Sequence, residues 1–543
     1  MRTSAPGLVL LLLAASCASG PPALSVPEPP VSVPESSGYT RTSTHADVLA
    51  FLDALETVGD GRLHRTTFGT SQDGRELPLV VWSDPPVRTP AEARALDLPV
   101  VLVLANIHAG EVEGKEACLQ LLRELVWEQP PFPQGRLVLL VAPIYNADGN
   151  EVFGPRNRPL QQGPSQVGQR PNAQGLDLNR DFLKAEAPET RALLGLMNAW
   201  DPLLTVDLHT TDGSAHGYAL TYAPPLTPSM DARLAALLER EWLPRLRARM
   251  RDRHGLETFD YGNFLSDGAG WYQDEPDLVK GWRTFDHRPR FGTNYVGLRN
   301  RAAILSEAYS YADFESRIAA THAFVIEILR MTAERGPELA RLCATLDRET
   351  AELARAGLLE QSVAVELVDR GRKEQVRIGA FEERPDPQTG ELQRIATGLA
   401  SVVEVPCFVK FVATDTRVAP AAWLLPPEAQ DVAALLAAHG VVVQRLDRPY
   451  DAEVTTWTLL ESTTAERQFQ GHFERGASWE TGTARRTVPA GGWLVPGAQP
   501  LARVAFQLLS PESDDGCLTW NVYDPWLEPG QELPVYAVPA GRN

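Results

Sequence analysis

The sequence predicts an α/β fold: a mixed, largely parallel central sheet flanked by helices, followed by a C-terminal α/β or β-rich accessory domain. Three observations predict it. Short, continuously apolar runs recur at Leu98 to Leu104, Arg136 to Pro143, Leu203 to His209 and Arg301 to Ser306, the pattern of strands buried on both faces. Stretches with helical spacing accompany them, at Glu113 to Leu125 and at Phe314 to Leu353. His108, His209 and Glu307 each lie where such a run ends, and open α/β sheets gather ligands outside the carboxyl ends of their strands.

Taken in order, the chain begins with what reads as an export signal. Arg2 precedes the apolar stretch Leu8 to Ala15, too short to span a bilayer but suited to a signal peptide. Ala14-Ala15-Ser16-Cys17 resembles a bacterial lipobox, with Cys17 as the residue that would be lipidated; cleavage near Ala18 or Ser19 is the alternative. The expected location is therefore the periplasm or outer membrane as a lipoprotein, or secretion. Residues 1–17 are read as the signal, and residues 18–38, rich in proline, as an extended linker. Residues 39–350 are read as the catalytic domain and 351–543 as the accessory domain. Of the remaining cysteines, Cys118 falls on the apolar face of its helix, where a buried thiol is expected, and no Cys-x-x-Cys occurs.

The 543 residues have 43% hydrophobic and 22% charged content, ordinary for a globular protein. A formal net charge of −19 argues against nucleic acid as a partner, since such proteins carry a basic face. No Gly-rich loop ending in Lys-Ser/Thr is present, so phosphate chemistry has no foothold.

What the sequence offers is a metal site. His108-Ala109-Gly110-Glu111 places an imidazole and a carboxylate three residues apart at the end of a buried strand. His209 closes another. Two His and one carboxylate form the three-ligand set of a catalytic zinc that keeps a fourth position open. His216 is a spare His beside His209, which has the strand-end placement.

His108-x-x-Glu111, Asn146-x-Asp148-Gly149, Asp177-Leu178-Asn179-Arg180, His209 and Glu307, in that order, resemble the zinc metallocarboxypeptidase family of carboxypeptidases A, B and E. Gly69 to Arg75 resembles that family's turn between its first strands. The resemblance covers roughly residues 39 to 335. It implies one zinc per chain held by His108, Glu111 and His209, with Glu307 as the catalytic glutamate and Asp177 orienting His108. It also implies that Asn179 and Arg180 bind the substrate's terminal carboxylate, which suits the planar guanidinium fork. The resemblance further implies that Arg170 is the third carboxylate-binding residue and polarises the scissile carbonyl, with Arg156 and Arg158 as competitors in the same loop. Tyr295 is the candidate for the family's mobile tyrosine, with Tyr309 and Tyr311 nearby. Two departures stand out. Gly110 occupies a place where the animal digestive members carry Arg, and residues 291–301 do not align with the family's specificity pocket.

Beyond Leu358 the sequence suggests strands at Ala421 to Pro426, Val441 to Val443, Val454 to Leu460 and Gly492 to Val495, with a helix at Glu428 to Ala438. No catalytic constellation is visible there. The function expected is an exported zinc carboxypeptidase acting on peptides or peptidoglycan stem peptides. A zinc amidohydrolase of the deacylase or cell-wall amidase type, and a binding module that has kept the scaffold, are the alternatives.

Overall fold

The computed structural model describes residues 1, 28–266 and 279–541; the signal peptide and Cys17 lie outside the described residues. Strands run in chain order as β1 (Leu63–Thr70), β2 (Glu76–Ser83), β3 (Val100–Ala105), β4 (Val138–Ala142), β5 (Leu204–Thr210), β6 (Leu220–Ala223), β7 (Thr258–Asp260), β8 (Asn263–Ser266), β9 (Val279–Arg283) and β10 (Ala302–Ala308). Eight of them form the main sheet, in the order β1-β2-β4-β3-β5-β10-β6-β7. Its centre, β4-β3-β5-β10, is parallel, and these are the four apolar runs that predicted it.

Alternation along the strands sorts side chains to the two faces of the sheet. Val101 and Val103 of β3, Leu139 and Val141 of β4 and Leu204 and Val206 of β5 share one core with Leu52, Leu122, Leu246 and Phe324. The helices His45–Val58, Glu113–Trp127, Leu243–His254 and Phe314–Ala356 supply those last four residues. Leu102, Leu104 and Leu140 point the other way, into a core with Leu193, Leu194 and Leu298. These belong to the helices Pro188–Trp200 and Gly292–Leu298.

The second core also contains Trp423, Leu436, Trp457, Phe506, Leu509 and Leu533. The region after residue 351 therefore does not stand apart as the sequence suggested: one face of the main sheet is covered partly by it. The boundary expected at residues 350/351 falls inside the helix Phe314–Ala356, which continues through Pro337 to the left-handed cap at Gly357.

After that helix, β11 (Glu360–Pro385) and β12 (Leu392–Val418) form a long antiparallel hairpin. β12 joins β9 and β8 in a second, four-stranded sheet. Then come β13 (Ala422–Leu425), β14 (Gln444–Arg445), β15 (Tyr450–Thr464), β16 (Arg475–Val488), β17 (Trp493–Pro496) and β18 (Tyr536–Val538), in a third sheet. The helix expected at Glu428 to Ala438 is Gln430–Ala438. The strand expected at Val441 to Val443 instead starts at Gln444, because Val441 is drawn into the core against the helix it follows.

The linker reading also stops short. Val33–Ser36 is a helical turn closed by a capping box, with Ser32 and Glu35 bonding each other's backbone. Pro34 is buried, and Glu35 pairs with Arg123 at 2.6 Å. No helix among the described residues is long and apolar enough to cross a membrane.

Candidate metal centre and active site

His209 lies near the end of β5, and Glu307 of β10 is its register partner across the parallel pair. Both residues, with Asp207 two places earlier, point to one side of the sheet because side chains alternate. β3 ends just before His108, and the turn that follows, closed by Glu111 N–H donating to the His108 carbonyl at 2.9 Å, folds Glu111 back toward it.

The three candidate ligands meet. His108 Nδ1 is 3.0 Å from Glu111 Oε1, His209 Nδ1 is 3.0 Å from Glu111 Oε2, and the two Nδ1 atoms are 3.3 Å apart. These separations approach the ~3.3 Å edge of a tetrahedron with zinc–ligand bonds of ~2.0–2.1 Å. All three residues are buried. Each imidazole has its other nitrogen at a carboxylate: His108 Nε2 is 3.0 Å from Asp177 Oδ1, and His209 Nε2 is 3.1 Å from Asp207 Oδ2. The hydrogen bond with Asp177 fixes the tautomer and ring orientation of His108 and leaves its facing nitrogen free to bind metal; Asp207 approaches His209 as a charge, without hydrogen-bond alignment. The donor set fits a zinc ion.

The local charges are consistent with that use. Burial would raise the Glu111 carboxyl, but His108 and Arg158 beside it hold it well below the usual range. Asp177 is likewise held low against its burial, by His108, Arg170 and Arg180. Glu307 behaves oppositely: burial pushes it well above the usual carboxylate range, with Glu111 and Asp212 adding and His209 opposing.

Around these groups is a cavity of about 250 Å³, lined among others by His108, Glu111, His209, Glu307, Arg170, Asn179 and Arg180. Arg170 Nε donates to Asp177 Oδ2 at 2.9 Å, and its Nη1 is 3.6 Å from Glu111 Oε1. The Arg180 guanidinium lies 3.9 Å above the Phe291 ring, and Asn179 Oδ1 accepts from Gly292 N–H at 2.9 Å. A larger cavity, about 1160 Å³, lies at Glu352, Arg417, Trp423, Trp457 and Glu512, with no His lining it.

Tyr295 is a correction. Its ring is fully buried, and its hydroxyl is tied to His439 Nδ1 at 2.8 Å and Arg299 at 3.1 Å. The helix Gly292–Leu298 turns it into the second core, away from the cavity. Tyr309 and Tyr311 are buried too. Among the described residues, the tyrosine that lines the cavity is Tyr261, in the short connection between β7 and β8. Nothing in the sequence around it, Asp260-Tyr261-Gly262, marked it.

Arg158, the competitor in the same loop, reaches the ligand set. It donates to Glu111 Oε1 at 3.0 Å and to the carbonyls of Thr210 and Thr211 at 3.0 and 2.8 Å. Gly110 makes room for it, because a Cβ there would sit 2.6 Å from Arg158 Cγ. Arg156, in contrast, is exposed and pairs with Glu391. His216 is buried outside the ligand set, 4.4 Å from the Tyr309 ring, and burial pulls its imidazole down to about 3.

The other motif residues build the frame. Asp148 accepts from Ser71 Oγ at 2.6 Å, from Asp73 N–H at 2.9 Å and from Arg75 at 2.6 Å, so the two quoted turns close on each other. Asn146 caps Gly149 and donates to the Arg170 carbonyl at 3.0 Å.

Residues 48–293 match the family model described as zinc carboxypeptidase. The chain carries a zinc carboxypeptidase domain and is a zinc metallopeptidase. It is 23% identical over 532 residues to carboxypeptidase 2 of Trichophyton tonsurans, spanning 92% of this chain and 87% of that one. It is 26% identical over 298 residues to the catalytic chain of carboxypeptidase N of Homo sapiens, spanning 46% and 60%. A metallo-carboxypeptidase from Burkholderia cenocepacia aligns with 54% of this chain and 70% of its own, at 16% identity and a TM-score of 0.40.

Proposed function

We propose that this metallocarboxypeptidase releases C-terminal residues from peptides, including peptidoglycan stem peptides, outside the cytoplasm, and that the residues above divide the work as follows. His108, Glu111 and His209 hold one zinc. Bound there, zinc acidifies a water to near neutrality and polarises a carbonyl. Glu307, at the cavity wall and in register with His209, takes the proton released in attack and returns it to the leaving amine. Arg180 and Asn179 bind the free terminal carboxylate, the guanidinium held flat against Phe291. Arg170, between Asp177 and Glu111, presents positive charge where oxyanion charge develops. Arg158 holds Glu111 in place.

Beside Thr210, Asp212 and Thr293, the described lining includes Tyr261, Phe285, Phe291 and Leu305, which favour an aromatic or large apolar C-terminal side chain. Asp212 is the lining carboxylate left without an assigned task. The observation that carries the proposal is the buried convergence of His108, Glu111 and His209 beside Glu307 and two arginines.

Blocked dipeptides with free C-termini, and their C-terminal amides, test it on zinc-loaded protein. Release confined to the free acids, fastest for Phe or Leu, is expected. In Glu307→Gln, kcat should fall about 10²–10⁴-fold while one zinc per chain is retained. Equal hydrolysis of the amides would move the assignment to an amidohydrolase, and faster release of Lys or Arg would place specificity on Asp212.

A further inference from the structure

The tip of the β15–β16 hairpin reaches the candidate active site from nearly three hundred residues away in sequence. Asp177 N–H donates to Gln470 Oε1 at 2.7 Å. Asp177 is the residue whose carboxylate meets His108 Nε2, and it also caps the turn Leu178–Arg180 by accepting from Asn179 N–H at 2.9 Å. A bond to its backbone therefore fixes at once the carboxylate behind the metal ligand and the start of the segment that carries Asn179 and Arg180.

The tip is built for this contact at local cost. Phe469 and His472 exchange backbone bonds at 2.7 and 3.0 Å across a two-residue turn. Both central residues, Gln470 at φ 51° and Gly471 at φ 82°, are left-handed. Gly, Asn and Asp adopt that conformation readily, whereas a longer side chain is uncommon there. Local preference does not call for Gln; reach to Asp177 does. Two clamps seat the turn: His472 Nε2 is 2.8 Å from Glu186 Oε1, and Glu474 pairs with Arg290 at 2.7 Å.

We infer that Gln470 is a positioning residue for the metal centre, acting on His108 through Asp177, so that the C-terminal region completes the active site. The inference rests on the proposed function for its catalytic consequence and on the His108–Asp177 geometry alone for its effect on metal binding. Two variants separate the role from general stability. Gln470→Met keeps the length and removes the acceptor. Gln470→Gly also removes the acceptor but relieves the left-handed backbone, which offsets part of the lost bond, so the two variants should differ in melting temperature while sharing the loss at the metal.

Zinc affinity, read by competition with a chromophoric chelator, is expected to fall severalfold in both, less than the roughly tenfold or more of losing a partner bonded to the ligand itself. On free-acid dipeptides kcat should fall severalfold with KM nearly unchanged. Parental zinc affinity in both variants would overturn the inference, whatever their melting temperatures. A parent protein that binds zinc yet hydrolyses none of the dipeptides would count against the proposed function, and the chelator competition would still decide the role of Gln470.

Discussion

At the scale of single residues, strand-end placement was the legible signal. His108, His209 and Glu307 could be found because short apolar strands announce their own ends, and period-two alternation then sends Asp207, His209 and Glu307 to one side. Arg158 and Tyr261 could not be found that way. Both sit in irregular connections, and their contacts with Glu111 and with the cavity depend on how distant loops are stacked. Tyr295 shows the reverse error: the resemblance made it the candidate for the family's mobile tyrosine, yet a buried hydroxyl needs partners, and His439 and Arg299 supply them. The two tyrosines should separate experimentally. Tyr295→Phe leaves a buried imidazole and guanidinium short of a partner and should cost about 1–3 kcal/mol in urea unfolding, with kcat/KM unchanged. Tyr261→Phe should change kcat/KM and leave the unfolding midpoint in place. Exchange of these outcomes would restore Tyr295 to the site.

At the scale of elements, the sequence located the buried strands and the long helix well and read the proline-rich segment poorly. Proline count suggested an extended linker, but Pro34 sits at the start of a helical turn, where its missing N–H costs nothing. What folds the turn is the pair of Glu35 with Arg123 on the helix Glu113–Trp127, a partner about ninety residues away that no local pattern reveals. This pair has a defined pH dependence. The hydrogen bond from Arg123 lowers the Glu35 carboxyl to about 2 from its ordinary 4.5. A lowered carboxylate contributes stability that is complete above the unfolded value and disappears as the pH falls through the folded one. Glu35→Gln should therefore be less stable than the parent by about 1–2 kcal/mol at neutral pH, a figure discounted for the partial exposure of both groups. The difference should shrink between pH 4.5 and 2. A pH-independent difference in urea midpoints would mean that the ion pair contributes nothing and only packing was lost.

At the scale of the molecule, the feature least legible in sequence is that the catalytic and C-terminal parts share one core. Composition changes little across residue 350, and apolar residues such as Trp423, Leu436, Phe506 and Leu533 are as compatible with a separate core as with a shared one. Only their assembly with Leu102, Leu194 and Leu298 distinguishes the two. The buried Arg290–Asp515 pair, at 2.7 Å, and the Gln470 contact cross the same junction. Cutting there would leave Arg290 facing an uncompensated loss, which is the costly way to break a buried pair, along with an uncovered apolar face. The full chain should consequently unfold in one transition, coincident by far-UV circular dichroism and tryptophan fluorescence. A chain ending at residue 356 should bind the dye ANS, unfold without cooperativity and hold zinc poorly. Two separated transitions in the full chain, with a cooperatively folded and zinc-binding 1–356 fragment, would instead establish the accessory-domain organisation expected from the strand and helix pattern beyond Leu358. In that case the hairpin tip would have to act on a catalytic domain already complete without it. The core residues and the metal site thus make a joint claim: what covers the second face of the sheet also holds the ligands in place.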